Sequence, residues 1–190
     1  MPLQNWIVLL SAYLLGSIPS AQLISRSIGG VDIRKIGDGN MGAKNTFLSL
    51  GALAGVFVLI ADIGKGAIAI LLAHYLSASD EIKVLAGMLV VVGHIFPVFL
   101  QFKGGHGMAT LVGVFSVLFP LQTMFALIIF GLALLIARQW DWSCYIGFGS
   151  LLILILIFGF PVKWIFYSIL LMCLLFLRML RIRIQSIHKT

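Results

Sequence analysis

Residues 46–76 read TFLSLGALAGVFVLIADIGKGAIAILLAHYL, an apolar run interrupted near its middle by Asp62 and Lys65. A bilayer core of ~30 Å takes about 20 apolar residues of helix. This run is too long for one straight span, so it reads as a short interfacial helix followed by a membrane-spanning one. The rest of the chain repeats the theme. Apolar stretches at 2–24, 84–100, 111–119, 121–137, 144–158 and 162–177 are separated by short polar or Gly/Pro-containing turns. Together they predict about seven transmembrane helices.

Composition supports the same fold. The chain is 61% hydrophobic and 10% charged, with a mean hydropathy of +1.13. A soluble domain carries about 25% charged residues, so these residues cannot furnish a water-exposed surface. The expected architecture is an all-α polytopic integral membrane protein, one membrane domain over 1–190. The N-terminal apolar run has no preceding Lys or Arg and no small-residue cleavage site, and is expected to be a retained first helix. Cys144 and Cys173 lie in apolar stretches without CxxC spacing and are expected to be small buried hydrophobes.

Charge sets the expected orientation. With seven spans, Arg26, Arg34, Lys35, Lys44, Lys103, Arg138, Arg178, Arg181, Arg183 and Lys189 fall on one side, ten of the 13 Lys and Arg. Lys83 and Lys163 fall on the other, and Lys65 lies within a span. That bias predicts an N-terminus outside and a C-terminus in the cytoplasm. The net charge of +7 is then a property of one membrane face. It suits lipid headgroups and phosphate-bearing substrates there and does not call for nucleic acid.

Three segments carry chemistry. In 31–45, Gly37, Gly39 and Gly42 allow a turn whose amides converge on an anion, with the helix beginning near Asn45 aimed at the same place. A plain flexible connector has the same composition. In 61–67, Asp62 and Lys65 are three apart on a helix and can pair. Ionisable groups in a span cost ~2.5–3.5 kcal/mol each on insertion scales, so the pair serves either a polar site or a structural lock between helices. In 92–110, His94 precedes Pro97 and a Lys103-Gly104-Gly105-His106-Gly107 loop that presents amides and a cation together. A histidine on an apolar helix is also commonly a core hydrogen-bonder. The four histidines are dispersed, so no zinc-like cluster is expected, and no GxSxG elbow is present.

These residues resemble the bacterial acyl-phosphate-dependent glycerol-3-phosphate acyltransferases. The resemblance rests on Gly16-Ser17-Ile18-Pro19-Ser20, on Asp32-x-Arg34-x-x-Gly37-x-Gly39-Asn40-x-Gly42-Ala43-x-Asn45, on Asp62-x-x-Lys65-Gly66, and on the run from Gly93-His94 through Lys103-Gly104-Gly105-x-Gly107 to Thr110. It implies a seven-span bacterial inner-membrane enzyme with a cytoplasmic active site. Such an enzyme moves an acyl chain from acyl phosphate to the 1-hydroxyl of glycerol 3-phosphate, giving lysophosphatidate and phosphate, with no metal or other cofactor. His94 and Lys103 become the expected catalytic residues. Arg34, Gly37, Gly39, Asn40, Gly42, Asn45, Asp62, Lys65, Gly104, Gly105, His106, Gly107, Arg138 and Asp141 become the expected substrate contacts. The expected partners are acyl phosphate, a small acceptor and membrane lipids. The hydroxyl proton is expected to go to a substrate phosphate, with His94 the runner-up base or a structural hydrogen-bonder.

The chain departs from the family pattern at several positions. Asp38 and Asp141 stand where the family usually has serine, Lys44 where it has threonine, His106 where it has a second lysine, and Leu48 where it has arginine. Residues 178–183 replace a stretch that in the family contains His and Asn. A carboxylate in an anion pocket disfavours a phosphorylated acceptor, so the resemblance also admits a paralogue acting on an amine or a lysolipid. From other classes, the intramembrane charges admit a small-solute transporter, and the departures admit an inactive scaffold.

Overall fold

A computed structural model describes the backbone of residues 1–187 and the side chains of residues 1–178. The side chains of Arg181 and Arg183, and the whole of Lys189, lie outside what is described. Among the described residues the regular structure is all helical, with no strands. Its helices are α1 (Leu3–Ser17), α2 (Ser20–Gly29), α3 (Ala43–Leu50), α4 (Ala52–Tyr75), α5 (Asp80–Ile95), α6 (Met108–Leu118), α7 (Pro120–Ala137), α8 (Trp140–Ile157) and α9 (Val162–Ile187). Two short 3-10 turns occur at Ile33–Lys35 and Val98–Leu100. The chain divides into two compact units, Met1–Val117 and Leu118–Thr190.

Five segments among the described residues are long and apolar enough to cross a bilayer: Leu3–Gly29, Ala52–Tyr75, Asp80–Leu100, Pro120–Ala137 and Trp140–Ile157. Met108–Leu118 is apolar but shorter, and α9 carries the last expected stretch. The protein is thus a multi-pass helical membrane protein, with boundaries that differ from expectation in instructive places. The first span divides at Ile18-Pro19, because Pro19 has no N–H to continue the ladder. The run at 46–76 divides at Gly51, whose φ of 91° is open to glycine, giving the anticipated short helix and span. The expected polar turn at 138–143 is shorter, since α8 starts at Trp140 and takes Asp141 into its first turn. An acid there complements the helix's N-terminal amides.

In the first unit, α1 packs against α5 and α4, while α4 packs against α2, α3 and α5. The contacts are backbone-close. A Cβ on Gly16 would meet the carbonyl of Val90, and one on Gly93 would meet the carbonyl of Tyr13. The same reciprocity joins α4 to α6, where Gly66 faces the carbonyl of Thr110 and Gly113 that of Ile63. Small residues that let helices approach closely are how helices associate in lipid, where burying apolar surface gains little. In the second unit, α7 packs on α8, and Phe119 meets Phe160 and Trp164 edge to face, with centroids 5.0 and 5.7 Å apart. Cys144 is buried as expected, but Cys173 is exposed. Its position on an apolar helix is the outward one, which composition alone does not reveal.

Candidate active site

Two polar clusters form in the first unit. The first is the loop between α2 and α3. Gly30 closes α2 in the left-handed conformation, with its N–H donating to Arg26 O and that of Val31 to Ser25 O. Asp32 then caps the following 3-10 turn: its Oδ1 accepts from the Arg34 amide at 3.1 Å and from Arg34 Nε at 2.9 Å, and its Oδ2 from Arg34 Nη2 at 2.7 Å. This bidentate bond to the guanidinium holds the Asp32 carboxyl well below the usual carboxylate range, and raises the Arg34 guanidinium in turn. Oriented by its neighbours, the Gln22 amide donates to Asp32 Oδ1 and accepts from Arg26 Nε, both at 2.9 Å, tying α2 to the turn.

The glycine loop is organised by Asn45, which is 2% exposed. Its Nδ2 donates to the carbonyls of Ile33 (3.3 Å), Ile36 (3.1 Å) and Asn40 (3.0 Å). Its Oδ1 accepts from the Asp38 amide at 3.2 Å and from Ser49 Oγ at 3.3 Å. Gly37 and Gly39 have φ of 59° and 71°, and a Cβ on Gly37 would collide with Asn45 Oδ1. The expected converging turn is therefore present, but its central amides are committed: Asp38 to Asn45, Gly39 to Ile36 O, and Asn40 to Asp38 Oδ1 at 2.9 Å. Gly42 is the residue before α3. Asn40 Oδ1 is buried and has no hydrogen-bond partner among the described residues.

The second cluster is intramembrane. Asp62 and Lys65, one turn apart on α4, pair at 2.9 Å between Oδ1 and Nζ, with side chains only 2% and 6% exposed. Lys65 Nζ also donates to Ile18 O at 3.2 Å, the carbonyl at the break before Pro19. His94 sits in the last turn of α5. Its Nδ1 lies 3.2 Å from Thr110 Oγ1 and 3.7 Å from Asp62 Oδ1. After Pro97 the chain turns through Gln101 and Phe102, both left-handed, and returns along α5. The amides of Gly104 and Gly105 donate to the carbonyls of Ile95 (3.1 Å) and His94 (3.2 Å). A Cβ on Gly105 would strike His94 Nε2, so only glycine brings this loop onto the imidazole.

These groups border a narrow cleft lined by Gly16, Ile18, Pro19, Ser20, Met41, Asp62, Lys65, His94, Pro97 and Gly105. Of the expected site residues, the structure brings Asp62, Lys65, His94 and Gly105 together at this cleft. Arg34, Gly37, Gly39, Asn40, Gly42 and Asn45 belong to the neighbouring loop cluster, which reaches the cleft through Met41. Lys103 is exposed on the loop, with Gly104, His106 and Gly107 following it. In the second unit, Arg138 ends α7 in a left-handed conformation and Asp141 is in the first turn of α8. Thr110, Ser20 and the Ile18 carbonyl went unmarked as site groups; only the chain break at Pro19 hinted at the carbonyl.

The chain is similar in sequence and fold to known proteins. Residues 6–189 match the family described as glycerol-3-phosphate acyltransferase. A glycerol-3-phosphate acyltransferase of Endomicrobium trichonymphae is 43% identical over 145 residues, covering 76% of this chain and 70% of that protein. One from Syntrophotalea carbinolica is 41% identical over 147 residues, covering 77% and 72%. Among solved structures, the glycerol 3-phosphate form of PlsY (YgiH), an integral membrane glycerol 3-phosphate acyltransferase, superposes with a TM-score of 0.87 at 32% identity, covering 97% of this chain and 92% of that one. Its lysophosphatidic acid form gives a TM-score of 0.84. The chain belongs to the glycerol-3-phosphate acyltransferase family and is an integral membrane acyltransferase of phospholipid synthesis.

Proposed function

We propose that this protein transfers an acyl chain from acyl phosphate to the 1-hydroxyl of glycerol 3-phosphate, giving lysophosphatidate and phosphate without a metal or other cofactor. The observation that supports this most is the cleft joining the buried Asp62, Lys65 and His94 to the Gly105 loop, in a chain whose solved relatives include glycerol 3-phosphate and lysophosphatidic acid forms. An acyl phosphate is already an activated anhydride, so catalysis reduces to orienting a hydroxyl and stabilising charge on the departing phosphate. The hydroxyl oxygen forms the ester bond at the acyl carbon. The bond from that carbon to the phosphate oxygen breaks, and the phosphate departs with the electron pair. The hydroxyl proton passes to a substrate phosphate, with His94 as the second candidate acceptor. Lys103 and the amides at the start of α3 supply positive charge to the phosphates.

The whole chain acts as one acyltransferase domain in the bacterial inner membrane, N-terminus outside, with the active site and C-terminus on the cytoplasmic face. The one-sided distribution of Lys and Arg supports this orientation. A second reading, a different acceptor, is favoured by Asp38, whose carboxylate is built into the glycine loop as the cap of the Asn40 amide. Purified protein given palmitoyl phosphate and glycerol 3-phosphate tests both. The expected result is equal release of phosphate and lysophosphatidate, unchanged by EDTA. Release only with an amine or lysolipid acceptor would select the second reading, and no release with any acceptor would remove acyl phosphate as the donor.

A further inference from the structure

The loop that carries Lys103 begins where α5 runs out of helix. Pro97 has no N–H, so the helical ladder stops there, and the last carbonyls of the helix need other donors. The loop supplies some of them itself. Gly105 N donates to His94 O at 3.2 Å and Gly104 N to Ile95 O at 3.1 Å, while Pro97 O accepts from Leu100 N and Phe102 N at 3.1 and 3.0 Å. The groups on either side of Pro97 are met from outside the loop, by α1. Tyr13 Oη donates to Phe96 O at 3.0 Å, and Ser17 Oγ accepts from Val98 N at 3.5 Å. Tyr13 and Ser17 stand one turn apart on α1, on one face. The two helices touch at this level, since a Cβ on Gly93 would collide with Tyr13 O and crowd Ser17 N.

The loop needs such a hold. Gln101 and Phe102 have φ of 53° and 61°, a region that is costly for residues with side chains and persists only where surrounding contacts impose it. Val98, Phe99, Phe102 and Lys103 are exposed, so their own burial does not impose it. We propose that Tyr13 and Ser17 are positioning residues for Lys103. By fixing the Phe96 carbonyl and the Val98 amide on either side of Pro97, they set where the loop leaves the cleft and so where Lys103 presents its charge. Pro97 and Gly105, which flank the loop, both line the cleft, whereas Tyr13 and Ser17 do not. Their effect on the reaction is therefore exerted through the loop. The kinetic side of the proposal rests on the reading above, in which Lys103 supplies charge to a substrate phosphate; the mounting of the loop does not.

The test joins a double-mutant cycle to hydrogen exchange. Tyr13→Phe removes only a hydroxyl, and Ser17→Ala, at the longer contact, is expected to act in the same direction and less strongly. With palmitoyl phosphate and glycerol 3-phosphate, Tyr13→Phe is expected to lower kcat/KM about fivefold or more in the wild-type background and less than about twofold in a Lys103→Ala background. A merely structural role would give the same loss in both. In the detergent-solubilised full chain, exchange of the amides over residues 98–105 is expected to quicken about fivefold or more in Tyr13→Phe, with those over 84–92 of α5 unchanged. Equal losses of kcat/KM in the two backgrounds, or loop exchange unaltered by Tyr13→Phe, would overturn the proposal. A wild type that turns over no acyl phosphate with any acceptor would instead overturn the functional reading. In that case, or with a Lys103→Ala enzyme too slow to measure, the exchange rates alone decide whether α1 mounts the loop.

Discussion

Two of the acid–base pairs of the first unit share a chemistry and little else. Asp32 and Arg34 pair bidentately in the loop, their side chains 16% and 34% exposed. Asp62 and Lys65 pair inside a span at 2% and 6%. Water can replace either partner of the first pair, so its contribution is local order: it pins the 3-10 turn from which the glycine loop starts. No water of comparable access serves the second. Removing one member of a buried pair strands the other charge, typically at a cost of about 3–5 kcal/mol. The same contact thus shapes a loop in one place and commits a helix bundle in the other.

Four predictions probe that contrast, and the first should have the largest effect. Asp62→Asn or Lys65→Met alone is expected to lower activity about 100-fold or more and to destabilise by about 3–5 kcal/mol. The double variant should regain much of the thermal stability in a detergent melting assay without regaining turnover. Equal stability loss in single and double variants would show that the pair is not coupled. Next, Gly105→Ala places a Cβ against His94 Nε2 and 2.6 Å from Met41 O. Overpacking of this kind costs about 1–3 kcal/mol, and turnover should fall far more than the melting temperature. Loss of fold and activity in parallel would make the glycine purely structural.

Asn45→Ala comes third. It removes the donor to three carbonyls and the acceptor for the Asp38 amide, leaving polar groups unsatisfied at about 1–3 kcal/mol. Hydrogen exchange should quicken over residues 36–42 before the spans are affected, and KM for the phosphorylated substrates should rise. The smallest effect is that of pH on the exposed pair. Because the folded carboxyl of Asp32 is depressed below its ordinary 3.8, its contribution is complete above that value and fades only as pH falls below it. Intrinsic-rate-corrected exchange of the Arg34 amide should therefore be flat from about pH 8 to pH 5, and a step within that window would break the assignment.

Much of this was legible in the chain itself, for stated physical reasons. Apolar run lengths place the spans because a bilayer dictates them, and the three-residue spacing of Asp62 and Lys65 places the pair because a helix turns that way. Short-range turn chemistry was less transparent. Gly37 and Gly39 announced the turn, but not that Asn45 and Asp38 would consume its central amides. Contacts distant in sequence were invisible: Thr110 reaches His94 across 16 residues and Lys65 reaches Ile18 across 47, and neither separation has a period. The start of α8 was misjudged because Arg138, Gln139 and Asp141 look like a polar turn until the helix uses the acid in its first turn.

The reciprocal glycines of α1 with α5 and of α4 with α6 have a consequence for how this protein tolerates change. At Gly16, Gly93, Gly66 and Gly113 the obstacle to a side chain is a carbonyl of the opposing helix, which no rotamer can move aside. In a saturation library these four positions should admit a one-letter alphabet, even though none of them carries a functional group. The opposite pattern is expected at Gly64, Gly131 and Gly149, where an added Cβ meets nothing within 4 Å. Two classes of glycine, indistinguishable by composition, would then separate cleanly by the breadth of residues each accepts.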